Sequence, residues 1–429
     1  MNDRQWQIGL SGTFDVENFG DLLFPLIAEA ELKHRLGDVK LRAFSYHAKT
    51  PPDWPYTVTP LTELPEMISR LDGLLIGGGF IIRFDKEVAP GYEPPTGAIH
   101  HPTGYWLTPA LIALQHGVPV VWNAPGMHCN EIPLWAEPLM EMAFSLSRYT
   151  AVRDEPSQSA LSRFADDIAV VPDTGFGVAR LLDENPSAEF DLLRESVRLT
   201  DPYIIIQATL GLDEFARFIK DHAERLRGFR FLALPIGPVL GDTAAIFGDD
   251  LPGVVRLSAW PHPLLTAELI KYSEAVIGHS YHLAITALAC GVPVFTPQDL
   301  SAGKYTALQK FDAIYPLPRN DEPDWFMERV GRKAPSAAAR ATLDQLARHW
   351  DRIADIIRAG RADTKPALNR FWQSLPALLE RAEKRINESI AQAEIAMQSG
   401  AAHPKSISRK LASMLRFFER KPDKNENGI

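Results

Sequence analysis

The chain has 429 residues, with 45 basic and 54 acidic side chains and a formal charge of −9 at pH 7. Apolar residues make up 45% and charged ones 23%, which excludes disordered or collagen-like chain, and the acidic balance argues against a nucleic-acid partner. Only Cys129 and Cys290 are present, which excludes a disulfide scaffold and a Cys-rich zinc site.

In chain order, short β-rich runs alternate with longer amphipathic ones, the pattern of an α/β protein with parallel sheets. Residues 7–13, 40–46, 74–76, 118–122, 150–153 and 168–171 read as strands, with helices expected over 19–36, 105–116 and 134–146. A second alternation places strands at 203–209, 229–234, 254–257, 275–277 and 292–295. Between the two, the acidic, proline-containing stretch 183–201 reads as a linker. The segment from Ala113 to Val120 matches the segment from Ala287 to Val294 at Ala, Leu, Gly, Val, Pro and Val. Each reads as a helix ending at glycine and then a buried strand, either an internal repeat or the common grammar of such junctions.

From about Ala334 strand signals vanish, and the chain reads as helices interrupted near 360–366 and at Pro376. Lys405 to Lys424 carries seven basic residues against two acidic ones, with Ile407, Leu411, Met414, Leu415 and Phe418 on one helical face. That reads as a helix lying on an anionic membrane surface or as a docked or frayed terminus. No run approaches the ~18 apolar residues of a membrane span, and the start of the chain lacks signal-peptide character. The expected setting is the cytoplasm, with contact to a membrane surface through residues 404–424.

Candidate chemistry gathers at strand ends. Asn18 has the position and chemistry of a helix cap with Asp21 three residues on, and Gly20 permits close approach to the first turn. Gly77, Gly78 and Gly79 close an apolar strand, either as a flexible turn or as bare backbone against a sugar or phosphate. Arg153 follows the next-but-one strand and is placed to bind an anion or to pair with Asp154 or Asp173. The densest element is Gly278-His279-Ser280-Tyr281-His282: Ser280 caps the following helix and puts His282 in its first turn. His279 and His282 have the spacing of a metal pair, but no third ligand lies nearby in sequence, so no metal is assigned. Lys304 supplies a cation after the next strand.

This set, in this order, resembles the polysaccharide pyruvyltransferase family over roughly residues 8–315: Asn18-Phe19-Gly20-Asp21, Gly77–Gly79, Arg153-Asp154, Pro172-Asp173 with Phe176, and Ser280-Tyr281-His282 before Gly291-Val292-Pro293. The resemblance implies two doubly wound Rossmann-like domains facing a cleft, as in GT-B glycosyltransferases, with a helical extension beyond. The domains would span 1–185 and 200–333, and the extension 334–429. It also implies transfer of a pyruvyl group from phosphoenolpyruvate to two sugar hydroxyls, giving a cyclic ketal and phosphate without a cofactor. Many members carry Arg where this chain has Ser280; the sequence is closer to the Ser-Leu-His variant, with Tyr281 for Leu. On this reading His282 is the general acid, while Arg153, His279, Ser280 and Lys304 bind phosphoenolpyruvate. Asn18, Asp21 and Gly77–Gly79 then face the sugar acceptor, whether lipid-linked, nucleotide-linked or polymeric. The alternatives are a glycosyltransferase of the same fold using a nucleotide-sugar, or a non-catalytic polysaccharide-assembly subunit.

Overall fold

The computed structural model describes residues 4–46, 54–84, 102–127, 132–199, 202–247, 251, 253–334 and 336–398. Cys129 and the basic run 404–424 lie outside the described residues. No helix among the described residues is long and apolar enough to cross a membrane.

Two parallel sheets organise the chain. The first contains β1 (Trp6–Ser11), β2 (Val39–Ser45), β3 (Val58–Pro60), β4 (Gly73–Ile76), β5 (Val120–Asn123), β6 (Tyr149–Val152) and β7 (Ile168–Val170). The second contains β8 (Tyr203–Gln207), β9 (Arg230–Leu234), β10 (Val254–Arg256), β11 (Ala275–Ile277), β12 (Val294–Thr296) and β13 (Ile314–Pro316). Their orders are β3-β2-β1-β4-β5-β6-β7 and β10-β9-β8-β11-β12-β13. Both are doubly wound, and in both the order reverses beside the first strand, between β1 and β4 and between β8 and β11. Crevices at such reversals open beyond the carboxyl ends of the strands. The central strands are buried on both faces and read as unbroken apolar runs, as in Tyr203-Ile204-Ile205-Ile206.

The sequence pattern missed β3 and β13. Each is three residues long, ends in proline and pairs along one side only. Proline at such an edge costs no ladder hydrogen bond, so a turn signal and an edge strand look alike in sequence. The internal echo, by contrast, lands at equivalent places. The helix over Leu107–Gln115 ends before Gly117 (φ 68°) and feeds β5; the helix over Tyr281–Ala289 ends before Gly291 (φ 74°) and feeds β12. In both, the amide three residues past the helix end returns to a carbonyl within it: Val118 N to Ala113 O at 3.0 Å, and Val292 N to Ala287 O at 2.8 Å.

The expected linker is in part helical. Ala188–Ser196 forms a helix whose cap, Ser187 Oγ, accepts from Phe190 N at 3.1 Å. The same hydroxyl donates to Glu268 Oε2 at 2.6 Å, fastening the segment to the second unit.

Four helices position the site: α1 (Phe19–Leu36), α2 (Glu155–Leu161), α3 (Tyr281–Ala289) and α4 (Ala337–Ala359). One apolar core joins Ile8 and Leu10 of the first sheet, Leu23 and Ile27 of α1, Leu283 and Ile285 of α3, and Ile205 and Val276 of the second sheet. Because α4 returns to the first sheet, Trp350, Ile353 and Ile357 are fully buried, each contributing about 1.5–3 kcal/mol. His349 on α4 bridges Tyr149 Oη at 3.1 Å and Asn123 Oδ1 at 2.9 Å. The extension is therefore packed onto the first sheet, although it follows the second in sequence.

Candidate active site

The two crevices meet across α1. Phe19 N donates to Ile236 O at 2.9 Å, and Val239 N to Glu17 O at 3.2 Å, so the start of α1 is stitched to the loop after β9. Gly20 makes this approach feasible: a Cβ there would lie 1.8 Å from His282 Nδ1. Any other residue would push α1 and α3 apart. Phe24, one turn on, meets the His282 ring edge-on at 5.6 Å.

Asp173 closes the first unit's side of this contact. It caps the turn after β7 by accepting from Gly175 N at 2.9 Å, and it takes Arg153 Nη1 at 3.1 Å. His282 Nε2 stands 3.9 Å from the same Asp173 oxygen, too far for a hydrogen bond. Arg153, at the end of β6, is 5% exposed, yet its Nε and Nη2 are buried without a hydrogen-bond partner. Phe80 and Tyr281 flank its guanidinium at 4.4 and 5.5 Å from their ring centroids. Gly126 leaves the space it needs, since a Cβ there would come within 2.5 Å of Arg153 Nε. Asp154, beside it, caps α2 by accepting from Ser157 N at 2.8 Å.

Burial moves three titratable groups. It pushes the His282 imidazole down to about 4, against the pull of Asp173 and with help from Arg153 and Lys304. It holds the Asp21 carboxyl up at about 7, opposed by the Thr13 hydrogen bond and aided by Asp173. It lowers Lys304 to about 8, with Arg153 pushing the same way. The Lys304 ammonium lies 5.7 Å from the Tyr281 ring and 5.3 Å from the Tyr305 ring. The consequence is an imidazole that is uncharged at pH 7 and a carboxyl that is half-protonated there.

The second crevice is held by groups the sequence did not flag. Gln207 Oε1, at the end of β8, accepts from the amides of both His279 and Ser280 at 2.8 Å. Its Nε2 donates to Asp242 Oδ2 at 2.9 Å, and that oxygen also takes the amides of Ile236 and Gly237. A single polar residue closing the run Tyr-Ile-Ile-Ile was the only signal for Gln207. Tyr305 Oη donates to His279 O at 2.6 Å. Ser280 Oγ accepts from Leu283 N at 3.3 Å, the expected cap.

Arg153, Asp21, His282 and Lys304 are thus brought into one mutually interacting cluster with Asp173. Three expectations need adjustment. His279 turns elsewhere: its Nδ1 takes Gln298 Nε2 at 3.0 Å, and its Nε2 faces Gly211. Asn18 occupies the cap position of α1 without making the cap hydrogen bond; its amide Nδ2 donates to Asp21 Oδ2 at 3.2 Å instead. Gly77 and Gly78 have positive φ, and their faces are already filled, by Asn123 O with Pro125 and by Phe24 respectively. Only Gly79 looks onto a functional group, with Asp21 Oδ1 3.1 Å from where its Cβ would be. Among the described residues no group of three or more His, Cys, Asp or Glu is placed to hold a metal ion.

A family model described as polysaccharide pyruvyl transferase matches residues 18–296. The chain belongs to that family. The matched span takes in Asn18, Asp21, Arg153, Asp173 and His282 and stops short of Lys304. Comparison with curated protein sequences gave no match. Among solved structures, the UDP-GlcNAc 2-epimerase of Methanocaldococcus jannaschii aligns with a TM-score of 0.54 at 12% identity, covering 83% of this chain and 100% of that one. The Neisseria meningitidis enzyme of the same name, bound to UDP-GlcNAc, aligns at 0.48 and 14% identity over 80% and 100%. The first likeness shows a shared fold, two Rossmann-like units of the GT-B type, and the family makes the chain a transferase.

Proposed function

We propose that the protein transfers a pyruvyl group from phosphoenolpyruvate to two hydroxyls of a sugar in a surface-polysaccharide precursor, forming a cyclic ketal and releasing phosphate. The observation that carries this reading is the pair of cations at the cleft, Arg153 and Lys304. Arg153 pairs with Asp173 at 3.1 Å and Asp154 at 3.5 Å, yet its buried Nε and Nη2 make no hydrogen bond, and the Lys304 ammonium sits beside the Tyr281 and Tyr305 rings. Leaving a buried guanidinium half-satisfied costs of the order of 1–3 kcal/mol, a cost that an anionic ligand would offset. A donor carrying both a carboxylate and a phosphate supplies such a ligand, and fixed cations hold it with no reorganisation during the reaction. They also compensate for Ser280 standing where many relatives have Arg.

On this reading the second unit and Arg153 hold the donor, while Asn18, Asp21 and Gly79 face the acceptor. His282, uncharged at neutral pH, accepts the proton of the attacking hydroxyl rather than supplying one. Closure of α1 onto α3 excludes water and aligns donor with acceptor.

Phosphate release from phosphoenolpyruvate over a panel of sugar acceptors tests the reading, alongside thermal shifts with phosphoenolpyruvate and with UDP-, GDP- and CMP-sugars. Phosphoenolpyruvate should stabilise the protein, and Arg153→Ala and Lys304→Ala should each lower kcat/KM by about 100-fold or more. Stabilisation by a nucleotide-sugar alone, with no phosphate released, would move the protein to the glycosyltransferases. No response to either donor class would leave an assembly subunit.

A further inference from the structure

Resting on the pyruvyl-transfer reading, we propose that Asp21, not His282, protonates the methylene carbon of the donor. Both hydrogen bonds the Asp21 carboxyl receives fall on one oxygen: Thr13 Oγ1 at 3.1 Å and Asn18 Nδ2 at 3.2 Å, each to Oδ2. Oδ1 receives none, and it faces Gly79, whose missing side chain leaves bare backbone before it. Thr13 and Asn18 thus fix Oδ2 in place, and Oδ1 is the oxygen left open to carry and deliver a proton. Burial is the largest influence on the carboxyl and, with Asp173, opposes ionisation; the Thr13 hydrogen bond, Arg153 and Lys304 pull the other way. Asp21 as a residue is partly exposed, at the mouth of the contact between α1 and α3.

His282 has the opposite character. Burial among Phe24, Gly20 and Gly175 leaves its imidazole without a proton to give at pH 7. Two proton-handling groups facing one cleft, one half-protonated at neutral pH and one free, divide the labour of a reaction that needs a donor and an acceptor at once.

The steps balance. Asp21 Oδ1 gives its proton to the methylene carbon, and the C=C electron pair forms that C–H bond, leaving an oxocarbenium centre. The first sugar hydroxyl attacks it and yields its proton to His282. The C–O bond to phosphate then breaks, the phosphate leaving with the electron pair and taking the proton from His282. The second hydroxyl closes the ketal and returns its proton to the Asp21 carboxylate.

The test runs the reaction in D2O with the full-length protein and follows the ketal methyl group by NMR. In the wild type the methyl should carry one solvent deuterium, and turnover should fall as pH rises through about 7, where Asp21 loses its proton. Asp21→Asn should lower kcat by about 1,000-fold while phosphoenolpyruvate affinity, read by calorimetry, stays within about fivefold. Asp21→Glu should recover part of kcat and shift the alkaline limb. Should Asp21→Asn keep kcat within tenfold, or lose affinity and kcat in equal measure with no rescue by Glu, the assignment falls. Retention of the wild-type alkaline limb in Asp21→Asn would overturn it as well. A wild type that neither binds phosphoenolpyruvate nor releases phosphate would instead sink the underlying reading, and this assignment with it.

Discussion

The two crevices are built on the same strand order and yet work by opposite means. At the first, beyond β1 and β4, backbone dominates: Gly77, Gly78 and Gly79 all have positive φ and all face protein atoms, Gly79 those of Asp21 and Phe24. At the second, beyond β8 and β11, side chains dominate, with Gln207 tying down the amides of His279 and Ser280 and Asp242 tying down Gln207. The first crest gives way so that α1 can come close; the second is rigid and delivers His282 to it. Gly20 is where this division is most exposed, because a methyl group there would overlap the imidazole delivered from the other side.

Gly20→Ala tests this division most directly. A Cβ 1.8 Å from His282 Nδ1 forces the two units apart or turns the ring, and displacements near 1 Å at a reacting centre cost about 100-fold. Phosphate release should fall by at least that factor, with phosphoenolpyruvate binding, carried by Arg153 and Lys304, changed far less. Wild-type turnover in this variant would mean that the units are not pressed together when the chemistry occurs.

A second difference lies in what supports each sheet from behind. Only the first is crossed by α4, whose His349 is buried between Tyr149 and Asn123 with its imidazole pushed down to about 3. A folded-state pKa below the unfolded value of about 6.5 means the unfolded chain takes up the proton first. The stability held above pH 6.5 is then lost as pH falls toward 3. His282 acts in the same direction, down to about 4. His349→Gln keeps an amide that can bond to either neighbour and removes the titration, so it should cost about 1 kcal/mol at pH 7. Its melting temperature should fall less steeply than that of the wild type between pH 6.5 and 4. Parallel curves would place acid sensitivity in the second sheet instead.

How far all this was legible in the sequence follows from the same contrast. The positions of most strands along the chain and the helix–glycine–strand echo were written locally, in apolar runs and in glycines with one conformational job. Asp21, Arg153, His282 and Lys304 were visible because charged or imidazole groups at strand and helix ends carry a chemical signature. What remained hidden were contacts made between distant segments. Gly77 and Gly78 look like open loop in sequence, and only Phe24 and Pro125 arriving from elsewhere close them. His279 is three residues from His282, but Gln298, nineteen residues on, decides where its ring is held. The protonation of Asp21 is likewise a property of enclosure, to which no spacing rule gives access.

The smallest expected effects separate the two helix starts. Ser280 caps α3 through its hydroxyl, so Ser280→Ala should cost about 1 kcal/mol of stability, read by urea unfolding, with little change in turnover if Gln207 still holds the loop. Asn18 makes no such cap. Its side chain serves Asp21 instead, so Asn18→Ala should leave stability within about 0.5 kcal/mol and lower turnover several-fold. The direction follows from the hydrogen bond lost. With Thr13 as its one remaining partner, the carboxyl is free to turn Oδ1 away from Gly79 and to present its proton in the wrong place. A stability loss at Asn18 as large as that at Ser280, with turnover intact, would make both residues ordinary caps and remove the functional asymmetry between the crevices.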